Sequence, residues 1–242
     1  MPPPREINAL FGLRGSRPNI ADKGSKTSMR IAHDMFRQMR ITRQDLRSSQ
    51  ETGREFEKAV ERFLVNKLPR NLNGRRVLVS SQQASAFEQY AHLDEIGKLI
   101  KNDRSGTLRA TIGIDYRVKP DVTVSLSRTE ADAAFLHAAV QCKWTLRSDR
   151  AQNVRHDAVT LIRSRRGRAP HIVPVTAEPL PTRLASLARG TGEIDALYHV
   201  ALKELASAVR ASGGKRQVMA LDELVGHGRL RDLSELPAVL RL

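Results

Sequence analysis

Apolar side chains return every three or four residues in several stretches of this chain, the spacing that gathers them on one face of a helix. The stripes that predict helices are Ile31, Met35, Phe36 and Met39; Phe56, Val60, Phe63 and Leu64; Ala151, Val154, Ala158, Leu161 and Ile162; and Ile194, Leu197, Ala201, Leu205 and Val209. In the helix of the second stripe, Thr52 and Glu55 have the spacing of a capping box. A further helix is predicted over 94–101.

Short runs rich in apolar and β-branched residues predict strands over 77–81, 112–127, 135–145 and 172–176. Pro174 interrupts the last run, and because proline cannot donate to a ladder, we expect a bulge or a position near a sheet edge there. Strands flanked by helices imply an α/β fold with a mixed central β-sheet. We expect a single domain over 1–242, in which 1–28, rich in Pro, Gly and Arg, forms an irregular N-terminal arm before a core over 29–242.

The composition adds a strong positive charge. Lysine and arginine total 41 against 26 acidic residues, a formal net charge of +15. Such a surplus favours a polyanion such as nucleic acid as partner, although a basic surface without a specific partner is the alternative. Cys142 is the only cysteine, which excludes intramolecular disulfides and cysteine-cluster zinc sites. Neither a membrane span nor a signal peptide is visible, so we expect a cytoplasmic protein.

Two short motifs concentrate chemistry inside the β-rich runs, Lys119-Pro120-Asp121 and Gln141-Cys142-Lys143. If these runs pair as a hairpin, Asp121 and Lys143 can converge at one end. The carboxylate could then hold Mg²⁺, and the ammonium group could orient water or neutralise charge during phosphodiester hydrolysis. Each motif alone has a plainer interpretation, since Pro-Asp is common in turns and a strand-end lysine is usually a solvated charge. Glu57 is a further candidate acid, or an exposed helix glutamate.

The segment after Lys143 carries side chains suited to reading bases. Arg147 and Arg150 could each donate two hydrogen bonds to guanine, and Asp149 could accept one from cytosine. They stand at a predicted helix start, so the alternative is an acid at a favourable dipole position between two solvated arginines. Asp157, two turns along on the face of Arg150, could carry a second acid back toward the lysine.

These motifs together resemble the PD-(D/E)XK type II restriction endonucleases, and more narrowly their CCGG-reading, NgoMIV-like branch. The resemblance covers roughly residues 112–205, with weaker support from the helix holding Glu57. It is carried by Pro120-Asp121, Cys142-Lys143-Trp144-Thr145, Arg147-Ser148-Asp149-Arg150-Ala151-Gln152-Asn153, Leu161-Ile162-Arg163, Pro170-His171-Ile172-Val173, Val175-Thr176-Ala177-Glu178-Pro179 and Gly190-Thr191-Gly192-Glu193-Ile194-Asp195. A lysine followed by tryptophan, together with an Arg-Asp-Arg cluster, is far more specific than a bare PD…K pattern.

The resemblance implies a restriction-endonuclease-like core and a role for particular residues in Mg²⁺-dependent cleavage. Asp121 matches the metal-binding aspartate, and Lys143 matches the catalytic lysine. Asp157 falls where this branch moves its second acid onto the following helix, and Glu57 matches a glutamate near the metal. The backbone carbonyl of Cys142 is expected as a further metal ligand.

The same resemblance implies a palindromic DNA site with a CCGG core, with GCCGGC as the expected version. The matches to residues that read CCGG are Arg147, Asp149 and Arg150. The matches to contacts with the outer base pair or the minor groove are Arg183, Asp22 and Gln50. A homodimer or homotetramer is expected on a palindrome, and a cognate DNA methyltransferase is expected as genetic partner.

The chain departs from the pattern of this branch in three ways. Asp157 stands where glutamate is usual, which shortens the reach by one methylene. Gln141, a candidate catalytic residue two positions before the lysine, stands where serine is usual in this branch and an acid elsewhere in the superfamily. The stretch between Asp121 and Lys143 is shorter than expected, which predicts a trimmed hairpin. The first two departures bear on the detailed metal ligation without abolishing a metal site, and the trimmed hairpin cannot supply the contacts that a longer segment would make.

Two other functions remain open at this point. A repair or recombination nuclease of the same fold would read DNA structure, but it would not need Asp149 aimed at bases. A non-catalytic basic DNA-binding protein would not need Asp121 and Asp157, because acids near phosphates weaken binding unless a metal intervenes. Zinc catalysis is disfavoured because the seven histidines show no close ligand spacing.

Overall fold

The computed structural model describes residues 3–81, 87–113, 118–129, 132–146 and 148–241, without the side chains of 148–150. The helices are α1 (Arg5–Asn8), α2 (Lys26–Met39), α3 (Ser49–Lys67), α4 (Ala91–Asn102), α5 (Thr107–Ile112), α6 (Ser148–Ser164), α7 (Pro181–Ala188), α8 (Leu202–Ser212), α9 (Lys215–Gly226) and α10 (Leu236–Val239). The strands are β1 (Leu13–Arg14), β2 (Arg17–Pro18), β3 (Asn71–Leu72), β4 (Arg75–Ser80), β5 (Val122–Ser127), β6 (Phe135–Lys143), β7 (His171–Thr176), β8 (Leu197–His199) and β9 (Leu230–Asp232). Short 3₁₀ turns lie at Glu88–Tyr90 and Leu233–Glu235.

Seven strands form one mixed sheet in the spatial order β3-β4-β5-β6-β7-β8-β9. Pairing is antiparallel from β3 to β6 and parallel from β6 to β9. The central strand β6 is buried along its whole interior, which is typical of a strand covered on both faces. The predicted α/β fold with a mixed central sheet is therefore confirmed.

Most predicted helices are present, but the start of α3 is set differently from the prediction. Ser48 is the N-cap, and its side chain accepts from the backbone N–H of Glu51 while the Glu51 carboxylate accepts from the N–H of Ser48. The capping box predicted at Thr52 and Glu55 is therefore wrong, because Thr52 is already inside the helix and its hydroxyl donates to the carbonyl of Ser48. Within the described residues, none of the helices combines the length and apolar character needed to span a membrane.

The long helix predicted from Ile194 onward is wrong in its first part. Leu197–His199 form β8, which pairs with β7 on one side and β9 on the other, and only the later apolar residues belong to α8. The β-rich run predicted from residue 112 is also shorter, since Ile112 ends α5 and β5 begins at Val122. The strand that holds Pro174, β7, lies inside the sheet between β6 and β8. β8 pairs only with the last two residues of β7, Val175 and Thr176, so Pro174 has no partner in β8.

Residues 1–28 differ from the expected irregular arm in their described part. They contain α1 and the β1–β2 hairpin, and they place four apolar side chains in the core, Ile7, Leu10, Phe11 and Ile20. The ring of Phe11 lies 5.0 Å from that of Trp144, measured between centroids. Because Trp144 directly follows β6, the amino-terminal segment supports the sheet end that carries Lys143. The assignment of the whole chain to one domain stays a prediction.

Candidate active site

The β5–β6 hairpin brings Asp121 and Lys143 together. Asp121 directly precedes β5 and Lys143 is the last residue of β6, and the two strands pair antiparallel with Val122 opposite Val140. The Nζ of Lys143 donates to Oδ2 of Asp121 at 2.7 Å, and the backbone N–H of Cys142 donates to the same oxygen at 2.7 Å. The two motifs predicted to converge at the end of a hairpin do converge.

Gln141 links this ion pair to Asp157 on α6. Gln141 and Lys143 are two residues apart on one strand, so their side chains point to the same face of the sheet. Oε1 of Gln141 accepts from Nζ of Lys143 at 3.3 Å, and its Nε2 donates to Oδ2 of Asp157 at 3.4 Å. Asp157 lies on α6 with its side chain 35% exposed. The glutamine and the second acid, two of the departures from the family pattern, are therefore direct neighbours.

Glu57, on α3, completes the group of charged side chains. Burial raises the pKa of its carboxyl and the charge of Asp121 raises it further, while Lys143 and Arg54 oppose the shift. The pKa of Asp157 is also raised, first by burial and then by Asp121, against the lowering effect of His156 and Lys143. Both acids therefore stay protonated to a higher pH than ordinary carboxyls. Their capacity to hold a cation is lost earlier as the pH falls.

The donor set suits a hard divalent cation, although it is not preassembled into a cage. Among the described residues, no group of three or more His, Cys, Asp or Glu side chains stands ready around a common centre. The second oxygen of Asp121, Oδ1, accepts no hydrogen bond from the described part of the chain. Burial first, and then the charge of Asp121, raises the pKa values of Glu57 and Asp157, and a bound cation would favour their charged forms. Carboxylate oxygens are the ligands that Mg²⁺ prefers.

The thiol of Cys142 is not part of this chemistry. The side chain is buried, and burial together with the charge of Asp121 raises its pKa well above the ordinary value. A thiol in such a setting is neither a nucleophile nor a ready metal ligand. Only the backbone carbonyl of Cys142 was predicted to contact the metal.

A cleft of about 430 Å³ runs along α3 beside Glu57. Its lining residues are Arg54, Glu57, Lys58, Glu61, Arg62 and Ser81. The three basic residues recur every four positions, so they form a stripe along one helix face next to the acid. Sequence reasoning missed this stripe, although its spacing was a signal that could have been read beside Glu57.

Two of the predicted CCGG-reading residues, Asp149 and Arg150, stand at the start of α6. Arg147 lies outside the described residues, and the side chains of Asp149 and Arg150 are likewise not described. The backbone of Asp149 and Arg150 forms part of the first turn of α6. Leu146, the residue before Arg147, is buried, and its N–H donates to the carboxylate of Glu178 at 2.8 Å.

Two of the three predicted outer-pair residues contact each other. Nη2 of Arg183, on α7, donates to Oδ2 of Asp22, and both side chains are about one third exposed. Gln50 is exposed in the first turn of α3. The arginine thus has a carboxylate partner that it would have to leave, or share, in order to contact a base.

Glu178 is a functional candidate to which the sequence analysis assigns no role. It is fully buried, and burial raises its pKa to about 7 against the lowering effects of the Leu146 N–H and Arg183. Glu178 lies in the segment Val175-Thr176-Ala177-Glu178-Pro179, which carries part of the family resemblance. No spacing in the sequence marks its contact with Leu146, since that residue stands 32 positions earlier in the chain.

Comparison with known proteins gives a family-level match. The family model described as NgoMIV restriction enzyme matches residues 9–132 and 123–242. The type II restriction enzyme NgoMIV of Neisseria gonorrhoeae is 38% identical over 180 residues, which is 64% of this chain and 62% of that protein. The matched stretch thus spans less than two thirds of that relative. The crystal structure of the pre-specific restriction endonuclease BsaWI in complex with DNA matches 83% of this chain and 75% of that one, at 12% identity and a TM-score of 0.30, too low to compare their sites.

Proposed function

Because the chain belongs to the NgoMIV restriction enzyme family, we propose that it is a type II restriction endonuclease that cuts double-stranded DNA by Mg²⁺-dependent phosphodiester hydrolysis. The observation that carries this proposal is the cluster at the end of the β5–β6 hairpin. There Lys143 contacts both Asp121 and Gln141, and Gln141 contacts Asp157. An acid, an ammonium group and a second acid linked in this way suit attack of water on a phosphodiester.

Each residue of the cluster would have its own part in the reaction. Hydrolysis forms a bond from the water oxygen to phosphorus and breaks one phosphorus–ester oxygen bond, and the departing ester oxygen takes a proton from solvent water to leave as an alcohol. The ammonium of Lys143, held at 2.7 Å by Asp121, would neutralise the charge that builds up on the phosphate oxygens. Glu57, whose raised pKa makes it a stronger proton acceptor than an ordinary carboxylate, would take up the proton that the water releases. Gln141, through its hydrogen bonds to both, would hold the side chains of Lys143 and Asp157 in position.

Asp121, Asp157 and the backbone carbonyl of Cys142 would hold the metal ion. When bound, Mg²⁺ would supply Lewis-acid polarisation of the scissile phosphate. Asp121 is suited to this role because Lys143 and the Cys142 N–H use only one of its two carboxylate oxygens. The stripe of Arg54, Lys58 and Arg62 in the cleft along α3 would contact phosphates of the bound strand.

We further propose a palindromic site with a CCGG core, GCCGGC being the expected form. Arg147, Asp149 and Arg150 would read the core, and Arg183, with Asp22 and Gln50, would contact the outer pair or the minor groove. A homodimer or homotetramer would place equivalent residues on each half of the palindrome. A methyltransferase of the same specificity would protect the host DNA, in a reducing cytoplasm that suits a chain whose one cysteine is a free thiol.

Incubating the purified protein with plasmid DNA and Mg²⁺ tests this proposal directly. Discrete fragments are the expected result, and sequencing their ends would show the site. A smear would favour the repair or recombination nuclease instead. Intact DNA that is nevertheless bound would favour a non-catalytic DNA-binding protein.

Asp157→Asn is expected to slow cleavage by about a hundredfold or more, while Asp157→Glu retains activity. The asparagine keeps the size of the side chain but removes the negative charge needed to hold a cation, whereas glutamate restores the residue usual in this branch. Single-turnover cleavage rates of the two variants measure the effect. If Asp157→Asn cuts at the wild-type rate, the second acid lies elsewhere, and Glu57 is the next residue to test.

A further inference from the structure

Glu178 is a carboxylate with 0% exposure that lies shortly after the end of β7. A buried carboxylate is strongly disfavoured unless hydrogen bonds and an opposite charge compensate for lost water. Here Oε2 accepts the N–H of Leu146 at 2.8 Å, and Oε1 accepts the N–H of Leu180 at 3.2 Å. Oε1 also lies 3.7 Å from Nη1 of Arg183. The compensation thus comes from two backbone segments and one guanidinium.

These contacts converge on the residue that precedes the proposed base-reading segment. The N–H of Leu146 is held by Glu178, and the carbonyl of Leu146 accepts from Nη1 of Arg183 at 3.4 Å. Both backbone polar groups of Leu146 are therefore fixed one residue before Arg147. Arg183 in turn pairs with Asp22, so the start of α6 and the proposed outer-pair contacts share one network.

We propose that Glu178 is a positioning residue for sequence recognition, fixing through Leu146 and Arg183 the direction in which the start of α6 meets the DNA. It touches no base and no reacting atom in this role. The inference rests on the proposed function, since it supposes that the segment from Arg147 to Arg150 reads the site. Discrimination between sequences depends on arginine forks being aligned with base edges, so a small change in the backbone before α6 affects specific contacts more than phosphate contacts.

The role requires a carboxylate and not merely a buried polar group of that size. A glutamine at position 178 would offer one acceptor oxygen. If that oxygen faces Leu146, the NH₂ group faces the N–H of Leu180 and the Arg183 guanidinium, so a donor stands where Oε1 of Glu178 accepts. If the amide turns the other way, the Leu146 N–H loses its partner. Either orientation of the amide therefore loses the contact with Leu146 or the contacts with Leu180 and Arg183.

The test is competition binding of Glu178→Gln in Ca²⁺, which permits binding without cleavage, at about pH 8, where Glu178, with a pKa of about 7, is mostly ionised. The probes are a short duplex carrying the site read from plasmid fragment ends and a scrambled duplex of equal length. We expect the ratio of the two affinities to fall about tenfold, with affinity for the scrambled duplex nearly unchanged. Gln89→Met is the matched control. Gln89 is also buried and accepts a backbone N–H at 2.8 Å, but from Leu136 near the other end of β6. Its loss should leave the ratio unchanged.

The outcomes separate this inference from the proposed function. A folded Glu178→Gln protein with the wild-type ratio would overturn the inference and leave the function intact. Wild-type protein that neither cuts nor prefers a defined site would overturn the function, and the inference with it. If Glu178→Gln does not fold, hydrogen exchange in the wild-type protein decides. Slow exchange of the Leu146 amide supports the contact, and exchange at the rate of an open loop refutes it.

Discussion

Asp121→Ala and Lys143→Ala are each expected to reduce the rate of DNA cleavage by about a thousandfold or more. The two side chains form one ion pair at 2.7 Å, so removing either leaves the other without its partner and takes away a charge needed at the phosphate. Neither residue is proposed to read bases. Specific binding in Ca²⁺ should therefore remain measurable in both variants. Single-turnover cleavage in Mg²⁺ and competition binding in Ca²⁺ are the two measurements.

The stability of Asp121→Ala needs a control, because this change also removes the acceptor of the Cys142 N–H. An amide left without its acceptor costs about 1–3 kcal/mol, so thermal unfolding should be followed alongside activity. Asp222→Ala is a matched variant, since it removes an acid paired with Arg210 at 3.2 Å on the surface. That variant should cut at the wild-type rate. Wild-type cutting by folded Asp121→Ala or Lys143→Ala would refute the assignment of the cluster.

The part of the site that could be predicted from the sequence is the part made by neighbours in one hairpin. Asp121 and Lys143 stand at the outer ends of consecutive strands, and antiparallel pairing alone brings such ends together. The stripe of Ala151, Val154 and Ala158 likewise fixed which face of α6 is buried, and this left Asp157 on the side of the cluster. The spacing of apolar residues and the geometry of antiparallel pairing were therefore sufficient to predict the positions of these three residues.

Other features depend on contacts that no local pattern contains. Leu197 fits a helical stripe with the later apolar residues, yet Tyr198 and His199 beside it are equally buried. Three consecutive buried residues are typical of a strand covered on both faces, and only the positions of β7 and β9 supply that cover. The pair formed by Arg183 and Asp22 joins residues 161 positions apart, so its existence could not be read from either segment.

The amino-terminal segment illustrates the same limit. Its proline and glycine content predicts irregular chain, and the elements α1, β1 and β2 in this segment are indeed short. The prediction overlooked that four apolar residues among them could still reach the core, where Phe11 packs against Trp144 and Phe36. Composition describes the backbone of such a segment better than it describes where the side chains go.

Arg147→Ala and Arg150→Ala are expected to lose affinity for a CCGG-containing duplex far more than for random DNA. A bidentate contact between arginine and guanine contributes roughly 1–3 kcal/mol of discrimination, about five- to more than a hundredfold in relative affinity. Random duplexes lack the aligned guanine edge, so they lose only the phosphate attraction of one positive charge. The measurement is competition binding in Ca²⁺ at one stated salt concentration, because the electrostatic part of the affinity varies steeply with salt.

Arg163→Ala is the matched control, since Arg163 is an exposed arginine in the last turn of the same helix, about 20 Å from the start of α6. It removes the same charge as the other two changes, so any loss it causes should be equal for both duplexes. If Arg147→Ala and Arg150→Ala behave like Arg163→Ala, these arginines contact phosphates only. The protein would then read DNA structure, and the repair nuclease would become the better description. If their losses are confined to the specific duplex, the start of α6 is the element that reads the sequence.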